Sequence, residues 1–218
     1  MIYGVIPAGG LGSRLGLPYA KEMLPQKNFD YYNPLINHVA TKMKDSGAEK
    51  IYFIHDVECK SLIVDYFSSA EYVHINQETS GFANCLKDFY HSAKPADSDQ
   101  VLFGMGDTVF DVNPFTEMLT QSGIVCGLFC GADQSKVDRL TDNNQFDVKS
   151  IKSNANSDLF WGVLKFDGHN LAEFSQDQLY EMYTEIGHII NHYPFSTTEN
   201  GSYIDLGTWA GYNQYLKS

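Results

Sequence analysis

Apolar positions follow two alternating patterns along the chain: short continuous blocks, and longer stretches with apolar residues three and four apart. The blocks "IYGVI" (2–6), "KIYFIH" (50–55), "YVHIN" (72–76), "QVLFGM" (100–105) and "GIVCGLFCG" (123–131) have the length and composition of buried strands. Between them, "PLINHVATKMKDSG" (34–47) sets Leu35, Ile36, Val39, Ala40 and Met43 on one helical face, with Asn33–Pro34 to start the helix and Gly47 to stop it. "CKSLIVDYF" (59–67) is amphipathic in the same way, as is "SGFANCLKDFYHSA" (80–93), which turns Phe82, Cys85, Leu86, Phe89 and Tyr90 inward. Asn113–Pro114 opens a short helix to about residue 121. Beyond residue 132 the regularity weakens. The polar, asparagine-rich stretch 138–158 suits a hairpin excursion, "LFWGVLKFD" (159–167) returns as a strand, and helical spacing fills much of 169–192. "NGSYIDLGTWAGYNQYL" closes the chain with a turn, a short strand and a helix.

This succession predicts an α/β fold: a mostly parallel, mixed sheet with helices on both faces. No internal repeat or linker divides the 218 residues, so a single domain is expected. Sheets of this kind bind ligands beyond the carboxyl ends of their strands. The glycine-rich segment after the first strand, "QETSG" after the third and "GDT" after the fourth all fall on that one edge.

Composition narrows the function classes. A net charge of −12 argues against a nucleic-acid partner, which would need a basic face. Residues 1–50 nevertheless carry a balance of +2 against −14 for the remainder, so positive charge is concentrated near the glycine-rich segment. No apolar run is long enough to span a bilayer, and Met1 leads into "IYGVIPA" without a basic n-region, so neither a membrane span nor a signal peptide is expected. Cys59, Cys85, Cys126 and Cys130 lack CxxC or zinc-finger spacing and read as reduced thiols of a cytoplasmic protein. His188 and His192 stand four apart on an expected helix, but no third ligand or HExxH glutamate accompanies them.

The chemistry centres on "IPAGGLGSRLGLPYAKEMLP" (6–25), where four glycines fall within eight residues and Arg14 and Lys21 follow. Gly10, Gly12 and Gly16 are spaced GxGxxxG, one residue too long for a dinucleotide fingerprint. Gly16 is followed by Leu17, which excludes a Walker loop, and no GxSxG elbow occurs. What remains is a loop whose backbone amides can wrap phosphates, flanked by two fixed cations.

That segment resembles the opening of the sugar-phosphate nucleotidylyltransferase superfamily, roughly AGGxGxRL…PKxxLP. "KEMLP" is similar to the uridylyltransferases of glucose 1-phosphate, and shorter thymidylyltransferases are similar as well. The resemblance continues through "INQETSGFANCL", "VLFGMGDTVFD" and "SYIDLGTWAGY", and so spans nearly the whole chain. It departs in three places. The Arg14-to-Lys21 spacing is short, the usual EKP lysine motif is missing with only Lys149 and Lys152 nearby, and the long carboxy-terminal extension of larger relatives is absent.

The resemblance implies a Rossmann-like GT-A nucleotidyltransferase fold, with a nucleotide-binding half over about 1–110 and an acceptor-binding half over about 111–218. It implies transfer of NMP from an NTP, UTP or dTTP favoured, to a sugar 1-phosphate, giving an NDP-sugar for surface polysaccharide. Ala8, Gly9, Gly10, Leu11, Gly12 and Ser13 would hold the nucleotide, with Gln77 and Gly81 at the base. Arg14 suits the leaving phosphates and Lys21 the space between the two anions. Asp107 and Asp205 would hold Mg²⁺, and Lys152, Trp161 and Gly162 would meet the acceptor. Trp161 fits core packing equally well. Two alternatives stay open: a cytidylyltransferase acting on a non-sugar phosphate, and an inactive protein that binds a nucleotide sugar. A homo-oligomer is also compatible with the sequence.

Overall fold

Strand Ile2–Pro7 (β1) is the centre from which the sheet is built, because apolar side chains cover both its faces. Tyr3 and Val5 point into one core and Ile6 into another. The structure, a computed structural model, describes residues 1–9, 15–56, 60–77, 81–130, 139–140, 146–147, 159–176, 190 and 193–218. The described strands are β1, Lys50–His55 (β2), Tyr72–Asn76 (β3), Gln100–Gly104 (β4), Thr108–Phe110 (β5), Ile124–Cys130 (β6), Arg139–Leu140 (β7), Phe146–Asp147 (β8), Leu159–Asp167 (β9) and Phe195–Asp205 (β10). Their order is β3-β2-β1-β4-β9-β6-β10-β5, with β7 beside β9 and β8 beside β7.

Strands β3, β2, β1 and β4 are parallel. Strand β9 is inserted antiparallel between β4 and β6, and β10 runs parallel to β6. The sheet is therefore mixed. Because β9 reverses, its first residues meet the carboxyl ends of β4 and β6, and Gly104 lies opposite Val163.

Helices cover both faces. Phe82–Ala93 (α3) and Gly168–Gln176 (α5) contribute Leu86, Phe89, Leu171 and Phe174 to the core with Tyr3, Val5, Phe103 and Leu164. Leu35–Asp45 (α1), Lys60–Tyr66 (α2) and Phe115–Met118 (α4) lie on the opposite face, where Ile36, Val39, Met43, Ile63, Phe115 and Met118 pack on Ile6, Phe53 and Leu102. Helix α1 carries the five inward residues that its spacing predicts, all buried. Gly47 ends the helix with φ at +98°, the left-handed conformation that glycine adopts without strain.

The last helix, Trp209–Lys217 (α6), leaves the sheet and forms a third, smaller cluster in which Tyr212 and Tyr215 meet Leu15, Leu24, Leu35 and Leu206. Thr208 caps it by accepting from the Gly211 N–H at 3.2 Å. No described helix is long and apolar enough to cross a membrane.

Four details differ from the sequence expectations. Strand β5 is an additional short strand, antiparallel to β10. Helix α4 ends at Met118, short of residue 121. The closing strand is eleven residues long, and "NG" is not a turn before it but part of an irregularity inside it, where the register shifts between Glu199 and Ser202. Of the hairpin excursion, β7 and β8 form an antiparallel pair. Residues 148–158 and 177–189 lie outside the described residues, as do His188, His192, Lys149 and Lys152. Cys85 and Cys126 are buried free thiols.

Candidate active site

The carboxyl edge of the sheet is where the candidate residues gather. Strand β1 extends by one more bond, the Ala8 N–H to the Ile54 carbonyl at 2.7 Å, and delivers Gly9 against the backbone of His55 and Asp56. An added Cβ on Gly9 would stand 3.4 Å from the Asp56 nitrogen, so the chain passes close to its neighbour there. Gly10, Leu11, Gly12, Ser13 and Arg14 lie outside the described residues.

Lys21 opens a single 3₁₀ turn, Lys21–Met23, closed by bonds from the Met23 N–H to Ala20 and the Leu24 N–H to Lys21. The segment around it is pinned from several sides. The Trp209 indole N–H donates to the Leu15 carbonyl at 2.9 Å, and the Tyr212 hydroxyl donates to the Pro25 carbonyl at 2.8 Å. The Lys27 N–H donates to the Tyr215 hydroxyl at 3.2 Å, and the Tyr32 hydroxyl donates to the Met23 carbonyl at 2.5 Å. Helix α6 thus fixes the backbone on both sides of Lys21.

Held in this way, Lys21 Nζ forms an ion pair with Asp107 Oδ2, across 86 residues of sequence. Asp107 follows β4 through the turn at Gly106, and Thr108 stabilises that turn by donating to the Met105 carbonyl at 2.8 Å. The Asp107 side chain is only 6% exposed and that of Lys21 22%, so the pair sits at the floor of the edge. Strand pairing sets Asp205 opposite Thr108, and the Leu206 N–H donates to the Asp107 carbonyl at 2.9 Å. The backbones of the two aspartates expected to share a cation are therefore adjacent.

Glu22 was not among the residues singled out from the sequence. It is buried beneath the ion pair, and its Oε2 has no hydrogen-bond partner. Burial, reinforced by the charge of Asp107, raises its carboxyl to about pKa 8, while Lys21 opposes the shift. Gly106 packs tightly, since a Cβ there would stand 3.0 Å from Glu22 Cγ and 3.2 Å from Ile6 Cγ2 and would need its neighbours to shift slightly. The available signal is "AKEMLP", where one acid stands among apolar neighbours beside a lysine.

Gln77 follows β3 on the same edge, with its N–H bonded to the His55 carbonyl. Its side-chain amide donates to the Gly81 carbonyl at 3.2 Å and accepts from the Cys85 thiol at 3.3 Å, which orients it. Burial pushes that thiol up to about 12, so it acts as a donor and not as a nucleophile. Gly81 has φ at +118°, a conformation open to glycine, and it starts α3. Trp161 lies at the start of β9 opposite Leu128 and packs against the first core. Gly162 faces the other way, where a Cβ would meet Tyr203 at 2.6 Å and Phe129 at 2.7 Å. Close packing thus accounts for Gly162.

No family model matches the sequence, and no curated protein matches it. In fold the agreement is close. One matching structure is a 2.76 Å crystal structure from Bacillus anthracis, of a protein provisionally assigned as a glucose-1-phosphate thymidylyltransferase and solved in complex with a sucrose. The match has a TM-score of 0.81 over 100% of this chain and 94% of that one, at 21% identity. The chain shares the fold of that protein over its whole length.

The donor set at the edge suits a hard cation. Asp107 offers carboxylate oxygens, Asp205 is its backbone neighbour, and Glu22, whose Cγ packs at Gly106 next to Asp107 in the chain, has an unmet buried oxygen. Oxygen-only donors favour Mg²⁺ over zinc or iron. Among the described residues no three acidic, histidine or cysteine side chains form a cage on their own. A cation here would keep water and substrate oxygens in its shell, as Mg²⁺ commonly does.

Proposed function

We propose that the protein is an Mg²⁺-dependent nucleotidyltransferase that moves NMP from an NTP, UTP or dTTP preferred, to a sugar 1-phosphate. The observation that carries this reading is the Lys21–Asp107 ion pair at the carboxyl edge, with the Asp205 backbone beside it. The shared fold supports it further.

In the proposed reaction a phosphate oxygen of the acceptor attacks the α-phosphorus of the NTP. The bond from the α-phosphorus to the bridging oxygen of the β-phosphate breaks, and pyrophosphate leaves with that electron pair. The barrier is dominated by repulsion between the two anions, so positioned positive charge matters more than proton transfer. Lys21 is placed to supply it. Its ammonium is held at the floor of the site by Asp107 and can turn from that carboxylate to a phosphate oxygen. Bound Mg²⁺ would add charge neutralisation at the phosphates, held by Asp107 and Asp205. Gln77, already oriented by Gly81 and Cys85, can pair with a pyrimidine edge through its remaining N–H and lone pair. Arg14, Lys152 and Trp161 keep the roles that the sequence motifs suggest.

The test is a matrix of UTP, dTTP, CTP, ATP and GTP against hexose 1-phosphates and non-sugar phosphates, scored by pyrophosphate release and product mass. Turnover of a uridine or thymidine nucleotide with a sugar 1-phosphate is expected. Asp107→Asn should lower kcat at least about a hundredfold with the fold intact, the scale of losing one key electrostatic stabiliser. Turnover only with CTP and a non-sugar phosphate would replace this assignment, and no turnover with any pair would end it.

A further inference from the structure

The fold has no evident need for Glu22. Its side chain is 3% exposed, and Oε2 meets no hydrogen-bond donor. Its surroundings are apolar or negative: Ile6 and Ile36 share the space around Gly106 with its Cγ, and Asp107 and Asp56 lie near enough to repel its charge. Lys21, whose ammonium pairs with Asp107, and the backbone N–H of Glu22 itself act in the attractive sense. Burying an unmet carboxylate oxygen destabilises a fold. An apolar side chain of similar size would fill the same space and leave no polar atom unmet.

Among the described residues no donor meets Oε2, so a partner from outside them would complete it. A bare ammonium or guanidinium ligand would have to reach the floor of the edge beneath Lys21. A hydrated divalent cation on Asp107 needs no such reach, because its own waters extend the donors to Oε2. We propose that Glu22 accepts a hydrogen bond from water carried by the cation on Asp107, and so is a positioning residue of that cation site. Mg²⁺ sheds water reluctantly, and outer-shell acceptors fix the orientation of the shell. The proposal rests on the cation site of the proposed function but not on nucleotidyl transfer itself.

The test measures metal binding without substrates. Free Mn²⁺ is followed by electron paramagnetic resonance, and melting is recorded with and without Mg²⁺, for the wild type, Glu22→Gln, Glu22→Met and Asp107→Asn. Both Glu22 variants should weaken Mn²⁺ binding about tenfold or more, the usual scale for an outer-shell partner. Without metal Glu22→Met should melt at or above the wild-type temperature, because it leaves no unmet polar atom. A merely structural Glu22 would give the reverse, a lower melting temperature with unchanged Mn²⁺ affinity, and that result overturns the proposal. A wild type that binds no Mn²⁺ also overturns it. Should neither variant fold, Fe²⁺-directed cleavage of the wild type must cut the chain near both residue 22 and residue 107, and the absence of a cut near 22 is fatal. Metal binding of the expected kind in a protein that transfers no nucleotide would refute the reaction and leave this assignment standing. Turnover with unchanged Mn²⁺ affinity in the Glu22 variants would do the opposite.

Discussion

His38 shows how one side chain can tie a helix to a strand edge and make the fold sensitive to acid. It projects from α1 toward β5, and its Nε2 lies 3.2 Å from the Phe110 nitrogen and 3.1 Å from the Phe110 oxygen. As the neutral ring, Nε2 can accept from the Phe110 N–H, and the ring also packs on Phe110 with centroids 5.3 Å apart. Burial, helped by the nearby Lys42 charge and opposed by the Phe110 carbonyl, lowers its pKa from 6.5 to about 4. Between those two values the unfolded chain binds a proton that the folded chain refuses. The neutral ring's contribution is therefore complete above about pH 6.5 and is lost as pH falls toward 4. His38→Gln should remove this dependence. Urea unfolding of the two proteins at neutral pH and near pH 4 should show the wild type losing about 2–3 kcal/mol more than the variant. Equal losses would mean that His38 is already charged in the folded protein.

At the scale of elements, α6 is the part that makes the site depend on the end of the chain. Trp209 and Tyr212 hold the carbonyls of Leu15 and Pro25, and Lys21 lies between these two anchors. Trp209→Phe with Tyr212→Phe deletes one N–H and one O–H and keeps an aromatic ring at each position, the first smaller than the indole. Each lost bond should cost about 1 kcal/mol of stability. If the anchors position Lys21, kcat in the proposed reaction should fall about tenfold or more while the melting temperature drops by only a few degrees. A loss of stability with unchanged kcat would make α6 a simple cover. None of these bonds was legible in the sequence, because each joins residues nearly two hundred positions apart. The elements themselves were legible wherever burial imposed a period. Strands β2, β3 and β9 lie at the limits their sequence blocks give, and β1, β4 and β6 within a residue at either end, since each is a compact apolar block. Strand β5 was hidden because three residues are too few to show a period, and "GDT" reads as a turn. Strand β10 was hidden in part because it is mostly polar and half exposed, so Asn200 and Gly201 look like a hairpin turn and not an irregularity within a strand. The shared edge that joins Lys21 to Asp107 followed from strand succession alone. Burial of Glu22 did not, because it depends on Gly106 approaching from a distant strand.

On the scale of the whole molecule, both cores cross the middle of the chain. The first joins Tyr3, Val5 and Phe89 to Cys126, Leu164 and Phe174. The second joins Ile6, Phe53 and Ile36 to Phe115, Val125 and Val163. The residues before about 110, expected to bind the nucleotide, therefore share both cores with those after it, and β9 joins them by pairing with β4 on one side and β6 on the other. Neither part can lose its packing without exposing the faces of the other. We therefore predict one cooperative thermal transition, with calorimetric and van't Hoff enthalpies equal. Two probes on opposite faces sharpen the test. Phe89 lies on α3 in the first core and Phe115 on α4 in the second, both fully buried. Truncating either to alanine should cost about 3–5 kcal/mol through lost burial and the cavity left behind. For a chain of this length that corresponds to a drop of roughly 10 °C, and in each case the whole transition should move. A scan in which Phe89→Ala lowers one transition while a second stays in place would show that the two faces unfold separately. The continuous sheet would then be a contact between two units and not the frame of one.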